Sequence, residues 1–469
     1  MPVGVLLTAT ISFVRMSSMA ASLQLQVSTS YRHILKLAMP IAASMLVPQL
    51  NFITNNIFIG HFLPTEYLGI AAITGVYYLI FSCIGLGLNN GLQALIARRA
   101  GENRIAAIGS LFQNGVLISL VISAVNIIIT YTVAPVVLRY VLHNPDHAQK
   151  ALSFLYIRMW GLPFLYLYQM RNALLVGTNN SRFLVIGTLA ETVANVFFDY
   201  SLITGAFLLP KMGFNGAALA SIIAEFTGLA VIYALMKNRG ISRQLHLFTG
   251  LHINKQEIKL VLTQSAPLAL QFAISLTSWE FFYILIERNH TVTDLAISNS
   301  MRNVFGLFGC FGWSFAAAGN AMVSNVIGQG RQEEVLPLIR RIVKLGVLVA
   351  LTVCTILNMI PHLFFSIYGQ SESFIEGAIP VMHVVSAALV MQPVAAVWLN
   401  AVVGTGNSRI NLYTEMLAIT LYCIYVWLVF EVLHLSIVVG WMSEWLYWIS
   451  IFTPSFLYMR SGRWKNKKI

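Results

Sequence analysis

Five carboxylates fall in stretches of this 469-residue chain that are otherwise apolar: Glu191, Asp199, Glu225, Glu280 and Glu415, with Glu431 and Glu444 nearer the ends of such stretches. A charged side chain at the centre of a bilayer costs about 2.5–3.5 kcal/mol on insertion scales, so each is a candidate for handling an ion or a substrate. Glu191, Asn195 and Asp199 are spaced i, i+4, i+8 and share one helical stripe. After a short turn centred near Pro210 the chain returns with Ser221 and Glu225. Counting outward from that turn sets Asp199 level with Ser221, and Asn195 level with Glu225. Asn55, near the outer end of the first apolar run, reaches a similar depth. Carboxylate, amide and hydroxyl oxygens gathered at one depth can hold a hard cation, which makes Na⁺ a candidate ligand of Asp199, Asn195 and Ser221; a desolvated carboxylate there can instead carry a proton. The plainer alternative is hydrogen bonding from helix to helix, common for Ser and Asn in bundles. A carboxylate is costly for that purpose.

Two weaker candidates for substrate binding stand apart. Glu280 and Arg302 are equidistant from a turn near residue 291; either they form a buried ion pair, or Glu280 is left to meet a cationic substrate. His383 is either a packing or hydrogen-bonding side chain or a group that titrates near neutral pH. Cys83, Cys310, Cys354 and Cys423 are scattered singly, without the close pairing of a zinc or redox site.

The elements that position these residues follow from composition. With 57% hydrophobic residues, 10% charged residues and a mean hydropathy of +0.74, the chain is far from a soluble domain, which carries about 25% charged residues. Twelve apolar runs are long enough to cross about 30 Å of hydrocarbon as helices: 38–61, 68–97, 107–136, 151–175, 184–207, 214–236, 260–286, 296–326, 338–366, 378–403, 411–433 and 437–457. The expected fold is an all-α integral membrane protein with twelve transmembrane helices in two six-helix lobes. It divides into an N-terminal tail (1–30, with Met16 or Met19 as alternative starts), a first lobe (31–236), a linker (237–257), a second lobe (258–458) and a basic tail (459–469). Even-numbered turns, the linker and both tails hold 22 of the 29 Lys and Arg residues, so the positive-inside rule puts both termini in the cytoplasm. The net charge of +12 therefore orients the chain in a membrane and does not indicate nucleic acid.

The chain also repeats itself. Val176-Gly-Thr-Asn-Asn-Ser-Arg182 returns as Val403-Gly-Thr-Gly-Asn-Ser-Arg409 at an offset of 227 residues, and the same offset carries Pro40 onto Pro267, Gly101 onto Gly328 and Arg104 onto Arg331. Two duplicated halves around a central path are typical of secondary transporters. The heptapeptides themselves read as structural turns, with Gly ending one helix and Thr, Asn and Ser capping the next. At this offset Asn195 falls on Tyr422 and Asp199 on Val426, so the polar constellation exists in one half only.

Together, the Pro-bearing first and seventh runs, Gly60, the paired Gly-Thr-x-Asn-Ser turns, Asn195-Val-Phe-Phe-Asp199-Tyr and Gly216-Ala-Ala-Leu-Ala-Ser221 resemble the multidrug and toxic compound extrusion (MATE) family over roughly residues 32 to 458. The resemblance implies an antiporter of the inner, or plasma, membrane that exports organic cations and amphipathic compounds in exchange for Na⁺ or H⁺; a monomer is expected because two lobes already enclose a path. It implies no cofactor beyond the coupling ion. Asn195 and Asp199 match the Asn and Asp of that family's amino-terminal-lobe cation site, and Ser221 stands where the site has a hydroxyl. The family often has an Asp five residues before the glycine closing the first span, where this chain has Asn55; Glu191 and Glu225 are the candidates to restore the missing charge. The rival readings are a flippase for a lipid-linked saccharide, which favours a strongly cationic cavity, and an integral-membrane enzyme, which needs a clustered nucleophile or His/Asp/Glu set.

Overall fold

Hydrocarbon offers no water to the backbone, so an apolar run must satisfy its amides within itself, and a helix does so. The computed structural model describes residues 24–64, 66–142, 144–248, 253–366 and 372–467, and every long element in it is helical. The first lobe comprises α1 (Tyr31–Phe62), α2 (Glu66–Gly101), α3 (Ile105–Val141), α4 (Pro145–Arg158), α5 (Leu162–Gly177), α6 (Leu184–Thr204) and α7 (Phe214–Asn238). The second comprises α8 (Lys255–Asn289), α9 (Val292–Gly328), α10 (Val335–Met359), α11 (Glu372–Gly404), α12 (Ser408–Trp427), α13 (Ile437–Trp441) and α14 (Ser443–Arg460). Among the described residues nine helical spans are long and apolar enough to cross a membrane. The 32-residue α1 and the broken pairs α4–α5 and α13–α14 bring the spans to twelve.

The breaks have local causes. Between α4 and α5 the chain tightens into a 3₁₀ turn, Met159–Gly161, and Pro163 restarts the helix in its first turn, where its missing N–H is harmless. The ninth span was expected to reach residue 366 but stops at Met359, because Pro361 begins a separate short helix. The fifth span stops at Thr204 rather than 207, where Gly205 at φ +82° caps it.

The two repeated heptapeptides form the same turn. Ser181 Oγ donates to the Leu37 carbonyl at 3.0 Å, and Ser408 Oγ donates to the Thr263 carbonyl at 3.3 Å, so each turn is pinned to the first helix of its own lobe. The single difference between the two copies, Asn179 against Gly406, falls where the backbone is left-handed, at φ +63° and +86°. Asn and Gly are the residues that tolerate this region. Asn179→Gly is expected to leave thermal stability within about 0.5 kcal/mol, whereas Asn179→Val costs about 1–2 kcal/mol; melting curves of the purified protein check both.

The lobes meet where α2 crosses α9, at the end of the bundle where residues 25–29 pack. A Cβ on Gly101 would overlap the Asn325 carbonyl oxygen, and a Cβ on Gly328 would overlap that of Arg98. The two contacts are images of each other under the 227-residue offset. So are two hydrogen bonds above them, Gln93 Nε2 to the Ala317 carbonyl at 2.9 Å and Asn320 Nδ2 to the Asn90 carbonyl at 3.2 Å. The duplication is thus realised as a pseudo-two-fold axis passing between Gly101 and Gly328.

The expected N-terminal tail is partly built into this seam. Leu25 and Val27 are buried, Asn325 Nδ2 donates to the Leu25 carbonyl at 2.9 Å, and Gln26 Nε2 donates to the Gly101 carbonyl at 2.9 Å. Thr29 Oγ1 donates to Glu334 at 3.0 Å and its carbonyl accepts from Arg341 at 2.8 Å. Residues 24–30 therefore join the two lobes, an outcome that their weak hydrophobic pattern did not foreshadow.

Candidate functional site

The α6–α7 hairpin carries most of the singled-out residues, and glycines set its spacing. Gly216 lies against the Leu202 carbonyl, while a Cβ on Gly228 would stand 2.9 Å from Glu191 Cβ and 3.0 Å from the Gly187 carbonyl oxygen. Small residues at such crossings let helix backbones approach closely. This pairing leaves Asp199 and Ser221 at the same depth to within about two residues, or ~3 Å along the axis. Asp199 is fully buried and Asn195 is 4% exposed. Ser221 is half-buried and donates to the Ala217 carbonyl of its own helix at 3.0 Å, which leaves its oxygen lone pairs available. Asn55 lies on α1, and its side chain is outside the described residues.

Glu225 is engaged. Arg158 grips it from both nitrogens, Nη2 to Oε1 at 2.5 Å and Nη1 to Oε2 at 3.1 Å, and the Tyr78 hydroxyl donates to Oε1 at 3.3 Å. The Arg158 guanidinium also lies 3.8 Å from the centroid of the Tyr78 ring, so α2, α4 and α7 close on a buried, bidentate pair. Gly161 makes room for it, since a Cβ there would come within 2.5 Å of Glu225 Oε2. The break between α4 and α5 therefore sits beside the ion pair.

Glu191 lies one turn further along α6 from Asn195. It is half-buried and makes no hydrogen bond among the described residues, and the charges acting on it are those of Glu225, Arg171 and Arg158. Arg171 on α5 is fully buried, stacks 3.8 Å from the Tyr168 ring centroid and donates to the side chain of its neighbour Asn172; its Nε and Nη1 have no hydrogen-bond partner among the described residues. Arg158 is the cation whose field reaches all three acids, Glu225, Glu191 and Asp199. The interior of the first lobe thus sets three carboxylates against two guanidinium groups.

Arg158 and Arg171 were visible in the sequence only as isolated cations. Depth counting would have paired Arg171 with Glu191, since both lie about ten residues from the turn at 180–181. Pairing Arg158 with Glu225 requires knowing that α4 and α7, separated by two helices, are neighbours. At the 227-residue offset Arg158, Arg171, Glu191, Asn195 and Asp199 become Val385, Trp398, Ala418, Tyr422 and Val426, all buried.

Glu280 and Arg302 do not pair: no ion pair within 4.0 Å joins them among the described residues. Arg302 instead lies 5.8 Å and 5.4 Å from the ring centroids of Trp279 and Tyr283, so ring faces on the same helix as Glu280 take the guanidinium. Glu280 remains half-buried, and His383 is exposed on α11. Neither is drawn into the first-lobe cluster. No grouping of three or more His, Cys, Asp or Glu residues suited to a metal ion occurs among the described residues.

Relatives match most of this chain's length. It is 22% identical over 453 residues to the probable multidrug resistance protein NorM of Thermotoga maritima, covering 93% of this chain and 94% of that one. It is 24% identical over 389 residues to multidrug and toxin extrusion protein 1 of Danio rerio, covering 82% of this chain and 64% of that one. A solved MOP-superfamily transporter from Pyrococcus furiosus superposes with a TM-score of 0.84 over 95% of this chain and 98% of its own, at 16% identity, which establishes a common fold. The MatE family model matches twice, at residues 40–201 and 267–428, two segments in the same 227-residue register that the sequence repeats. The chain belongs to the MATE family of membrane transporters.

Proposed function

We propose that this protein is a cation-coupled antiporter that exports organic cations or amphipathic compounds, with Asp199 as its coupling carboxylate and Asn195 and Ser221 beside it. The observation that carries the proposal is the charge count inside the first lobe: among the described residues, the cations acting on Glu191, Asp199 and Glu225 are Arg158 and Arg171. One negative charge in a desolvated interior is left to be neutralised, and a proton or a Na⁺ ion does so. Because Arg158 holds Glu225, the acids left to take that charge are Asp199 and Glu191. Binding there alters the packing of α1, α6 and α7. It drives a cycle only if the ion prefers one of the two lobe arrangements. Both termini are cytoplasmic in this reading, so the α2–α9 seam is the inner seal and the path opens to the outside. The protein acts as a monomer, since its two lobes already enclose a path.

The flippase alternative calls for free cations lining a wide cavity. Arg158 is committed to Glu225 and Arg171 is fully buried, which weighs against it.

Ethidium efflux from proteoliposomes, driven separately by a Na⁺ gradient and a pH gradient, tests the proposal. Wild-type efflux follows one gradient, and Asp199→Asn slows it at least ~10-fold, about 1.4 kcal/mol of lost coupling. Efflux at the wild-type rate in Asp199→Asn overturns the assignment.

A further inference from the structure

Glu415, on α12 in the second lobe, plays no part in the cycle above, yet it sits in a built site. It is fully buried, and its Oε2 accepts a hydrogen bond from Gln271 Nε2 at 3.0 Å. Its Oε1 accepts one from the Tyr447 hydroxyl at 2.6 Å and another from Ser275 Oγ. Gln271 is held in that orientation by Asn411, one turn before Glu415, whose Nδ2 donates to Gln271 Oε1. Three helices, α8, α12 and α14, converge on a single carboxyl group.

Among the described residues no cation balances it. The groups acting on Glu415 are Ser275 and Gln271 from α8 and Tyr447 from α14, and no Lys, Arg or His lies within 4.0 Å among the described residues. Glu444, a buried acid on α14, acts on Tyr447 and Tyr422. From α11, which packs on both α12 and α14, no titratable side chain acts on it. The first lobe meets the same difficulty at Glu225 with an arginine; here the answer is three neutral donors. That donor set suits two protonation states. Ser and Tyr hydroxyls both donate and accept, so either can turn to accept from a protonated carboxyl, while the amide N–H of Gln271 continues to donate. It suits a metal ion poorly, because the amide presents its N–H side to the carboxylate.

We propose that Glu415 is a second protonation site, in the opposite lobe from Asp199. A proton from water binds one carboxyl oxygen and neutralises the group, Ser275 or Tyr447 turns to accept its hydrogen bond, and release reverses both changes. The site exchanges its proton as α8, α12 and α14 shift relative to one another during the cycle. Its part in transport rests on the antiporter reading; its protonation does not.

The test is pH-difference infrared spectroscopy on the purified full chain, following the carbonyl band of protonated carboxyl groups across about pH 5–9. A titrating band is expected in the wild type and is lost in Glu415→Gln, which keeps the shape and hydrogen bonding of a neutral carboxyl. Tyr447→Phe removes one donor with little change of packing and moves the midpoint of the band by about one pH unit or more. An unchanged band in Glu415→Gln overturns the proposal, as does an unmoved midpoint in Tyr447→Phe. A midpoint displaced by Na⁺ at constant ionic strength overturns it in favour of a metal-ion site. In proteoliposomes Glu415→Gln slows pH-driven ethidium efflux at least ~10-fold, and efflux at the wild-type rate removes the site from the cycle. If the wild type moves no ethidium, the antiporter reading fails and the infrared titration alone decides the protonation site.

Discussion

Arg158→Leu destabilises the protein by about 3–5 kcal/mol, and the double variant Arg158→Leu/Glu225→Leu regains most of that loss. The pair is buried on both sides, bidentate, and capped by the Tyr78 hydroxyl and ring. Removing the guanidinium alone leaves Glu225 desolvated beside Glu191, whose charge already acts against it. Removing both partners leaves an apolar contact, and cores tolerate that exchange of an ion pair for hydrophobic groups. Thermal unfolding of the purified single and double variants checks the result. Equal losses in the two show that the pair has no coupled energy and that Arg158 acts only through its packing. Glu225→Gln alone separates structure from coupling: it keeps the side-chain shape and one of the two acceptors for Arg158 but removes the charge, so unchanged efflux in that variant confines Glu225 to a structural role.

Gly101→Leu holds the lobes apart at the α2–α9 crossing and lowers transport at least ~10-fold. Even a Cβ at this position overlaps a backbone carbonyl on the opposing helix, and a carbonyl, unlike a side chain, has no rotamer by which to withdraw. Overpacking of this kind costs about 1–3 kcal/mol, enough to depopulate the sealed arrangement about 5–150-fold. The pseudo-two-fold axis makes the same prediction for Gly328→Leu, whose Cβ meets the Arg98 carbonyl. Spin labels on Arg104→Cys and Arg331→Cys, the paired residues flanking the crossing, report the change as a separation increased by several Å relative to wild type, since a side chain must be accommodated between the helices. An unchanged distance together with wild-type efflux shows that the crossing is not the seal.

The sequence by itself determined the class, the number of spans and the duplication, because each depends on local or periodic information. Apolar run length dictates helices in hydrocarbon whatever their neighbours, and a repeat at one offset needs no structure to be seen. It also set Asp199 level with Ser221 and Asn195 level with Glu225, since a hairpin with a short turn converts position along the chain into position across the membrane. The same counting set Glu280 level with Arg302 and left open whether they pair: depth sets which residues are level, while side-chain direction decides whether they meet, and the faces of Trp279 and Tyr283 took the guanidinium. Only the tertiary structure decided the partners of Arg158 and Glu225, which lie 67 residues apart on helices that are not consecutive, and the convergence of Gln271, Ser275 and Tyr447 on Glu415. It likewise decided that residues 24–30 bind the seam and that Gly101 and Gly328 meet across it. These are contacts between faces of helices distant in the chain, set by how the helices pack around an axis, and no spacing along one helix encodes them.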